Sequence, residues 1–532
     1  MSSTRAFRAT AVAGVVAAVA LVVAIGAGAG AKSGQIKNGG TLVIGLAEEP
    51  DALDPTLART FVGRIVFLHM CEKLYDLDAK LQIVPQLAAS LPTFSADKKT
   101  VTIKLRTGIK FNDGTPFNAA AVKESLDRHK TLKGSVRASE LSPVSSIDAV
   151  GNNTVVLHLT DRYSPITAQL ADRSGMIMSP KQLDALGANF ATNPVCVGPF
   201  MFKDRVAGDH ITLVKSPFYY NKKNVHLDSI VWKIITDPAA RAANLRSGDV
   251  NVAEGIASTE LPAIQKDKAL QLLTSTSIGY QGITVNIGNS RGLGKLPYTN
   301  TGTAIAKSAD LREAFEDALD RTVINKVVFN NTVKPDCFPV APGTPWYPAT
   351  KGIPCNLKAD VKAAKAAFAR SGASPGVTVH LMIGTDPIAA RLGQVIQSME
   401  KPIGINVVLD PTEFVTSLNH EDAGQFETFA IGWSGRIDAD GNTFNFIHTT
   451  GSQNDSGYSN PVVDRAMTNE RKAASLKARL VSLHAAFAQA AKDRPIIYLY
   501  HPVNYDADSK KVGGVQVFGD GLVRVQFAGF KK

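Results

Sequence analysis

The sequence predicts an α/β protein folded as two lobes. A length of 532 residues exceeds what one compact core accommodates. Segments of strand and helix periodicity alternate from end to end, which is the pattern of α/β architecture. Two extended runs, "YQGITVNIGN" and "IIYLYHPVNY", each lie between helical stretches and offer two places where the chain crosses between lobes. A cleft between two lobes is a common place for a ligand.

The elements follow in order. "TLVIGLA" reads as the first strand, and "TVTIKLR" and "TVVLHL" as alternating strands. "FNAAAVKESLDRHK" is a helix with Asn118 as N-cap and Val122, Leu126 and His129 on one face. "TDPAARAANLRSGDV" has Asp237 at N-cap, Pro238 at N1 and Gly248 just past the end. In "ADLREAFEDALDR", Asp310 and Glu313 have capping-box spacing, while Leu311, Phe315 and Leu319 face inward. "VTVHLMIG", "IAARLGQVIQSMEK" and "INVVLD" form a strand–helix–strand unit, which implies parallel pairing. "SLKARLVSLHAAFAQAAKD" is a long amphipathic helix leading into the strand "PIIYLY", and "GVQVFGDGLVRVQF" is β-like again.

The first 31 residues differ from the rest. Arg5 and Arg8 precede an uncharged run from Ala9 to Ala31 that ends in Ala29-Gly30-Ala31. This is the pattern of an export signal with an A-x-A cleavage site. An uncleaved anchor is the competing reading, because the run is long enough to span a bilayer. Its alanine and glycine content makes it weakly hydrophobic and favours cleavage. The formal net charge of +11 comes without a clustered basic stripe, so nucleic acid is not expected as a partner.

Four cysteines stand at 71, 196, 337 and 355, none with CxxC spacing. Export and an even count imply disulfides. Cys337 and Cys355 flank the proline-rich "FPVAPGTPWYPATKGIP", and a bridge there closes a loop of about 18 residues, worth ~3 kcal/mol in the chain-entropy model. Cys71 and Cys196 are the remaining pair, or else two separate buried thiols.

Enzyme signatures are missing: no G-x-S-x-G, no H-E-x-x-H and no Walker spacing in "GNSRGLGK". The richest stretch is "GWSGRIDADGN", Gly432 to Asn442. It could be a calcium loop, a catalytic carboxylate pair or the wall of a ligand pocket. A calcium loop starting at Asp438 would need glycine sixth and glutamate twelfth, where the chain has Thr443 and Thr449. A catalytic dyad of Asp438 and Asp440 has no nucleophile or metal cluster near it in sequence. No cofactor or metal site is expected.

Eight segments in order resemble the solute-binding proteins of ABC importers, family 5 (the peptide/nickel group). They are "GGTLVIGLAEEPDALDP", "CEKLYDLDAKLQIVPQLAAS", "TIKLRTGIKFNDGTPFNAAAVKESLDR", "NPVCVGPFMF", "RAANLRSGDVNV", "DLREAFEDALDR", "GWSGRIDADGN" and "GYSNPVVDRAM". In the fourth, Cys196-Val197 stand where the family has Gly-Thr. The resemblance implies a type II periplasmic-binding-protein fold (cluster C) with an extra subdomain in the larger lobe. On that pattern 1–31 is the signal and 32–282 lobe I, with its extra subdomain at about 85–199. Lobe II is then 283–499, and 500–532 returns to lobe I.

It implies a periplasmic protein, not an enzyme, that acts as a monomer and delivers a peptide or similar organic solute to a membrane permease. A secreted hydrolase using Asp438 and Asp440 is the second reading. In peptide-binding members an acidic residue after the tryptophan-containing strand pairs with the ligand's α-ammonium. Arg436 stands near that place, so the resemblance implies a site selecting a carboxylate or phosphate, with Trp433 supplying an apolar face. The bland alternative is an Arg436–Asp438 or Arg436–Asp440 pair on a loop. Glu48, Glu49, Tyr280, Gln281 and Asp438 complete the expected wall.

Overall fold

A computed structural model describes residues 36–348 and 352–532. The expected export signal at 1–31 lies outside the described residues. No described helix is long and apolar enough to cross a membrane.

Two large sheets form the centres of the two lobes. The first has seven strands, in the spatial order Leu270–Thr276, Val503–Ser509, Val252–Ala253, Thr41–Leu46, Ser229–Ile234, His210–Lys215 and Phe200–Val206. Thr41–Leu46 pairs in parallel with both neighbours, and its inward residues Leu42, Ile44 and Leu46 are fully buried. The second has six strands, in the order Lys334–Pro335, Ile496–His501, Tyr280–Val285, Thr428–Trp433, Val377–Ile383 and Ile405–Pro411. Its last two strands pair in parallel across the helix Pro387–Glu400, as the strand–helix–strand pattern requires. A third sheet of four strands spans Thr93 to Leu159 and carries the helix Ala119–Thr131. Its core runs from Leu74 to Val197 and forms a subdomain on the first lobe.

The local signals act as expected at several helix starts. Asn118 accepts from the Ala121 N–H at 3.0 Å, and Asp237 from the Ala240 N–H at 2.7 Å, with Gly248 left-handed at the far end. One cap differs. The helix Ala309–Ala318 is capped by Ser308, which accepts from the Leu311 N–H. Asp310 and Glu313 instead bind Arg370 of a neighbouring helix at 2.9 and 2.7 Å.

The chain changes sheet twice. The second change is at Pro502, between Ile496–His501 and Val503–Ser509. The first is at Ser277–Gly279, a few residues ahead of the boundary expected at 282/283, because the whole strand Tyr280–Val285 is hydrogen-bonded into the second sheet. Gly279 is needed there: a Cβ on it would lie 2.1 Å from the Trp433 carbonyl oxygen. Both cysteine pairs are bonded, with Cα separations of 4.9 Å for Cys71–Cys196 and 5.5 Å for Cys337–Cys355. Cys71 and Cys196 sit at the two roots of the subdomain, one just before Leu74 and one just before Val197.

Candidate functional site

Between the two large sheets lies a cavity of about 360 Å³, within the range of roughly 300–1,000 Å³ usual for small-molecule sites. The first lobe contributes Ala47, Glu48, Arg59–Val62 and Glu254; the second contributes Tyr280, Gln281, Asp386, Glu421, Phe429–Ser434, Phe446, Gln453 and Asp455. Both chain crossings, through Ser277 and Pro502, also lie on its wall.

Part of the wall is aromatic. Trp433 and Phe446 meet edge-on with centroids 4.8 Å apart, and Tyr280 meets Phe446 at 6.3 Å and Tyr498 at 4.8 Å. The Trp433 indole N–H donates away from the cavity, to the Gly441 carbonyl at 3.0 Å and the Asn442 Oδ1 at 3.1 Å. That leaves an apolar face for a ligand.

The rest is strongly acidic. Among the described residues Arg59 is the one lining guanidinium, and it is already held by Glu421 and Asp455, both at 3.3 Å, and by a short contact with Asp422. Burial pushes Asp455 up to about 6 despite Arg59. Burial, and then the neighbouring Asp455, pushes Glu421 well above the usual carboxylate range. Across the cavity, burial and then the nearby Glu254 and Asp386 push Glu48 up to about 8.

Of the residues expected from sequence, Trp433, Tyr280, Gln281 and Glu48 line the cavity. Glu49 turns away to bind Arg205 at 2.6 Å and the Gly208 N–H at 2.9 Å. Arg436 and Asp438 are also elsewhere. Arg436 is 8% exposed, packs over the Trp433 ring at 4.2 Å from its centroid and binds Asp172 of the subdomain at 3.0 Å. It neither faces the cavity nor pairs with Asp438 or Asp440. It lies past the end of the wall strand, its backbone N–H is held by Asn442 at 2.6 Å, and its side chain sits in the seam against Asp172.

Asp438 and Asp440 do not form a dyad. Asp438 receives two bonds from Arg479, at 2.8 and 2.5 Å, and Asp440 two from Arg471, at 2.5 and 3.0 Å. The two carboxylates are paired with different guanidiniums, and neither lines the cavity.

Sequence reading missed Arg59, Glu254, Asp386, Glu421, Gln453 and Asp455. Asp386 had an N-cap signal in "TDPIAA", and it does cap the following helix through Ile388 and Ala389. Arg59 had a weaker one, as a cation inside the largely apolar "TLARTFVGRIVF".

The comparisons with known proteins agree with this architecture. The family described as Bacterial extracellular solute-binding proteins, family 5 Middle, matches residues 82–455. The glutathione-binding protein GsiB of Pectobacterium atrosepticum is 27% identical over 494 residues, covering 90% of this chain and 92% of that protein. The binding protein AgaA of A. tumefaciens R10, solved with agropinic acid, is 26% identical with a TM-score of 0.81, covering 92% of this chain and 96% of that one. The oligopeptide-binding protein AppA of Bacillus subtilis, solved with a nonapeptide, shares the fold at TM-score 0.83 and 22% identity, covering 94% and 100% of the two chains. With a two-lobed cleft and a family match across most of its length, the chain belongs to the family 5 extracellular solute-binding proteins and serves an ABC importer as its substrate-binding component.

Proposed function

We propose that the chain captures a short peptide or similar organic solute bearing a cationic group in the interlobe cavity, and delivers it as an exported monomer to the membrane permease. The observation that supports this most is the charge of the wall: among the described residues, Glu48, Glu254, Asp386, Glu421 and Asp455 stand against Arg59 alone. Glu48 has no hydrogen-bond or ion-pair partner among the described residues. The Glu254 carboxylate is 6% exposed and accepts one bond, from the Ala47 N–H at 2.9 Å. The nearby Arg241 spends its donors on the carbonyls of Glu254, Ile235, Thr236 and Gly255. From the second lobe, Asp386 and Glu413 face the same region as helix N-caps.

Burial and neighbouring acids in the closed cleft hold Glu48 and Glu421 toward their protonated forms, because two charged carboxylates facing one another would repel. A ligand cation between them turns that repulsion into attraction and so couples occupancy to closure. The aromatic wall takes the apolar part of the solute. Glutathione, the ligand named for the relative GsiB, carries two carboxylates and one ammonium; this wall favours the opposite balance.

Fractionated solute serves as the probe. The low-molecular-weight fraction of a rich-medium extract is split on a cation exchanger, and each part is added to the protein during thermal melting. The retained fraction is expected to raise the melting temperature, and Glu48→Gln with Glu254→Gln to weaken that ligand at least tenfold. Stabilisation by the unretained fraction or by glutathione alone would overturn the cationic assignment and leave solute capture standing. No stabilisation by either fraction would overturn solute capture itself.

The pH dependence has a definite sign. Glu48 has its pKa raised from 4.5 to about 8, so its contribution to the stability of the empty protein is full below 4.5 and is lost as the pH rises to about 8. Affinity for a cation should rise over the same interval, with protons released on binding, which calorimetry in buffers of different ionisation enthalpy reads directly.

A further inference from the structure

The seam that holds Arg436 carries a second concentration of charge, of the opposite sign. Four arginines from three parts of the chain meet there: Arg64 on the helix Phe61–Met70, Arg137 and Arg173 in the subdomain, and Arg436 in the second lobe. Arg137 and Arg173 have no exposed surface, and Arg64 and Arg436 are 5% and 8% exposed. Among the described residues, two carboxylates face them. Asp172 binds Arg64 at 2.7 Å and Arg436 at 3.0 Å, and lies 3.5 Å from Arg173 Nε. Glu140 binds Arg137 at 2.7 Å and also accepts from Ser174 and Asn445. The nearby Asp520 is matched by Arg524.

Four cations against two anions leave two buried positive charges. A lysine in this position could neutralise itself by losing a proton; a guanidinium does not. The donors are unspent as well. Among the described residues, Nε and Nη2 of Arg137, Nε and Nη2 of Arg173, and Nη2 of Arg436 are buried without a hydrogen-bond partner. Water could satisfy those N–H groups but would leave the charge in place.

We propose that a small inorganic anion binds among Arg137, Arg173 and Arg436, separate from the ligand cavity. Because Arg137 and Arg173 belong to the subdomain and Arg436 to the second lobe, the site is complete only when the lobes are closed. The anion is thus a cofactor of closure: it neutralises a seam whose arginines otherwise repel one another. Burial, and then the facing arginines, push the pKa values of Arg173 and Arg436 down.

Melting of the ligand-free exported protein at constant ionic strength tests this, with gluconate replaced stepwise by chloride in one series and by phosphate in another. The melting temperature is expected to rise and saturate with the anion that binds. Arg436→Met keeps the apolar stack on Trp433 and removes one charge and one open donor. It should weaken the apparent anion affinity at least tenfold and be no less stable than wild type in gluconate. If that variant fails to fold, Arg436→Lys should keep part of the anion dependence, because the charge stays and the fork is lost. Melting that is indifferent to chloride and phosphate, or a dependence that Arg436→Met leaves unchanged, would overturn the site.

Discussion

Replacing Asp440 with alanine is expected to destabilise the protein by about 3–5 kcal/mol, the usual cost of stripping one partner from a buried ion pair. Asp440 is 1% exposed and Arg471 5%. The carboxylate takes two bonds from Arg471 and a third from Gln169 of the subdomain, at 2.7 Å. The Arg471 guanidinium is buried and packed over the Phe444 ring, 3.1 Å from its centroid, so removing the carboxylate strands its charge among apolar and neutral groups. Burial alone would lower the Arg471 pKa, and Asp440 is what holds it raised. The residual positive charge, more than lost contact area, carries the predicted cost. Asp440→Leu combined with Arg471→Met should recover most of it, because an apolar pair removes the stranded charge. Urea midpoints of the two variants and the wild type decide this, and equal midpoints for wild type and Asp440→Ala would show that the pair contributes nothing net.

The second large effect is expected at the roots of the subdomain. Cys71 and Cys196 are separated by 125 residues, and their bridge ties off the entire subdomain from the first lobe. In the chain-entropy model, removing it by Cys71→Ala with Cys196→Ala costs roughly 5 kcal/mol, against about 3 for the 18-residue loop of Cys337 and Cys355. Packing at the root adds to this. Both cysteines are almost fully buried, and Gly198 beside them approaches the chain so closely that a Cβ would lie 2.4 Å from the Met70 carbonyl oxygen. Melting under oxidising conditions of the two double variants should rank them in this order. The opposite order would mean that the unfolded subdomain keeps enough structure to make its loop effectively short.

Much of the fold is legible in the sequence because the signals are local. Asn118 and Asp237 each cap the helix that follows them, since a cap needs only its own side chain and the next turn of backbone. The alternation of "VTVHLMIG" and "INVVLD" around a helix leads to a parallel pair, since a crossover of that length admits little else. The short proline-rich loop between Cys337 and Cys355 points to their bridge, whereas Cys71 and Cys196 stay open between a bridge and two separate thiols until the fold brings them together. Where the reading went wrong, a distant group decided the matter. Ser308 displaced the expected capping box because Asp310 and Glu313 had Arg370, some sixty residues away, to bind.

The site shows the same division more sharply. Trp433 and Tyr280 reach the cavity from paired positions on adjacent strands, and strand periodicity is visible in one dimension. Arg436, three residues after Trp433, was expected beside it in the wall. In the structure its fate is set by Asp172, more than two hundred and fifty residues earlier. Asp438 and Asp440 are likewise fixed by Arg479 and Arg471. Glu48, Glu254, Asp386, Glu421 and Asp455 carry no shared motif, yet the two lobes bring them to one cavity. The sequence by itself determined which segments become strands and helices, that they form two lobes, and which family they belong to, because hydrophobic periodicity and capping act within a few residues. Only the tertiary structure decided which charges face the ligand and which are locked into the seam. A charged side chain goes where an opposite charge offsets its loss of water, and the partner comes from wherever the fold brings the chain back.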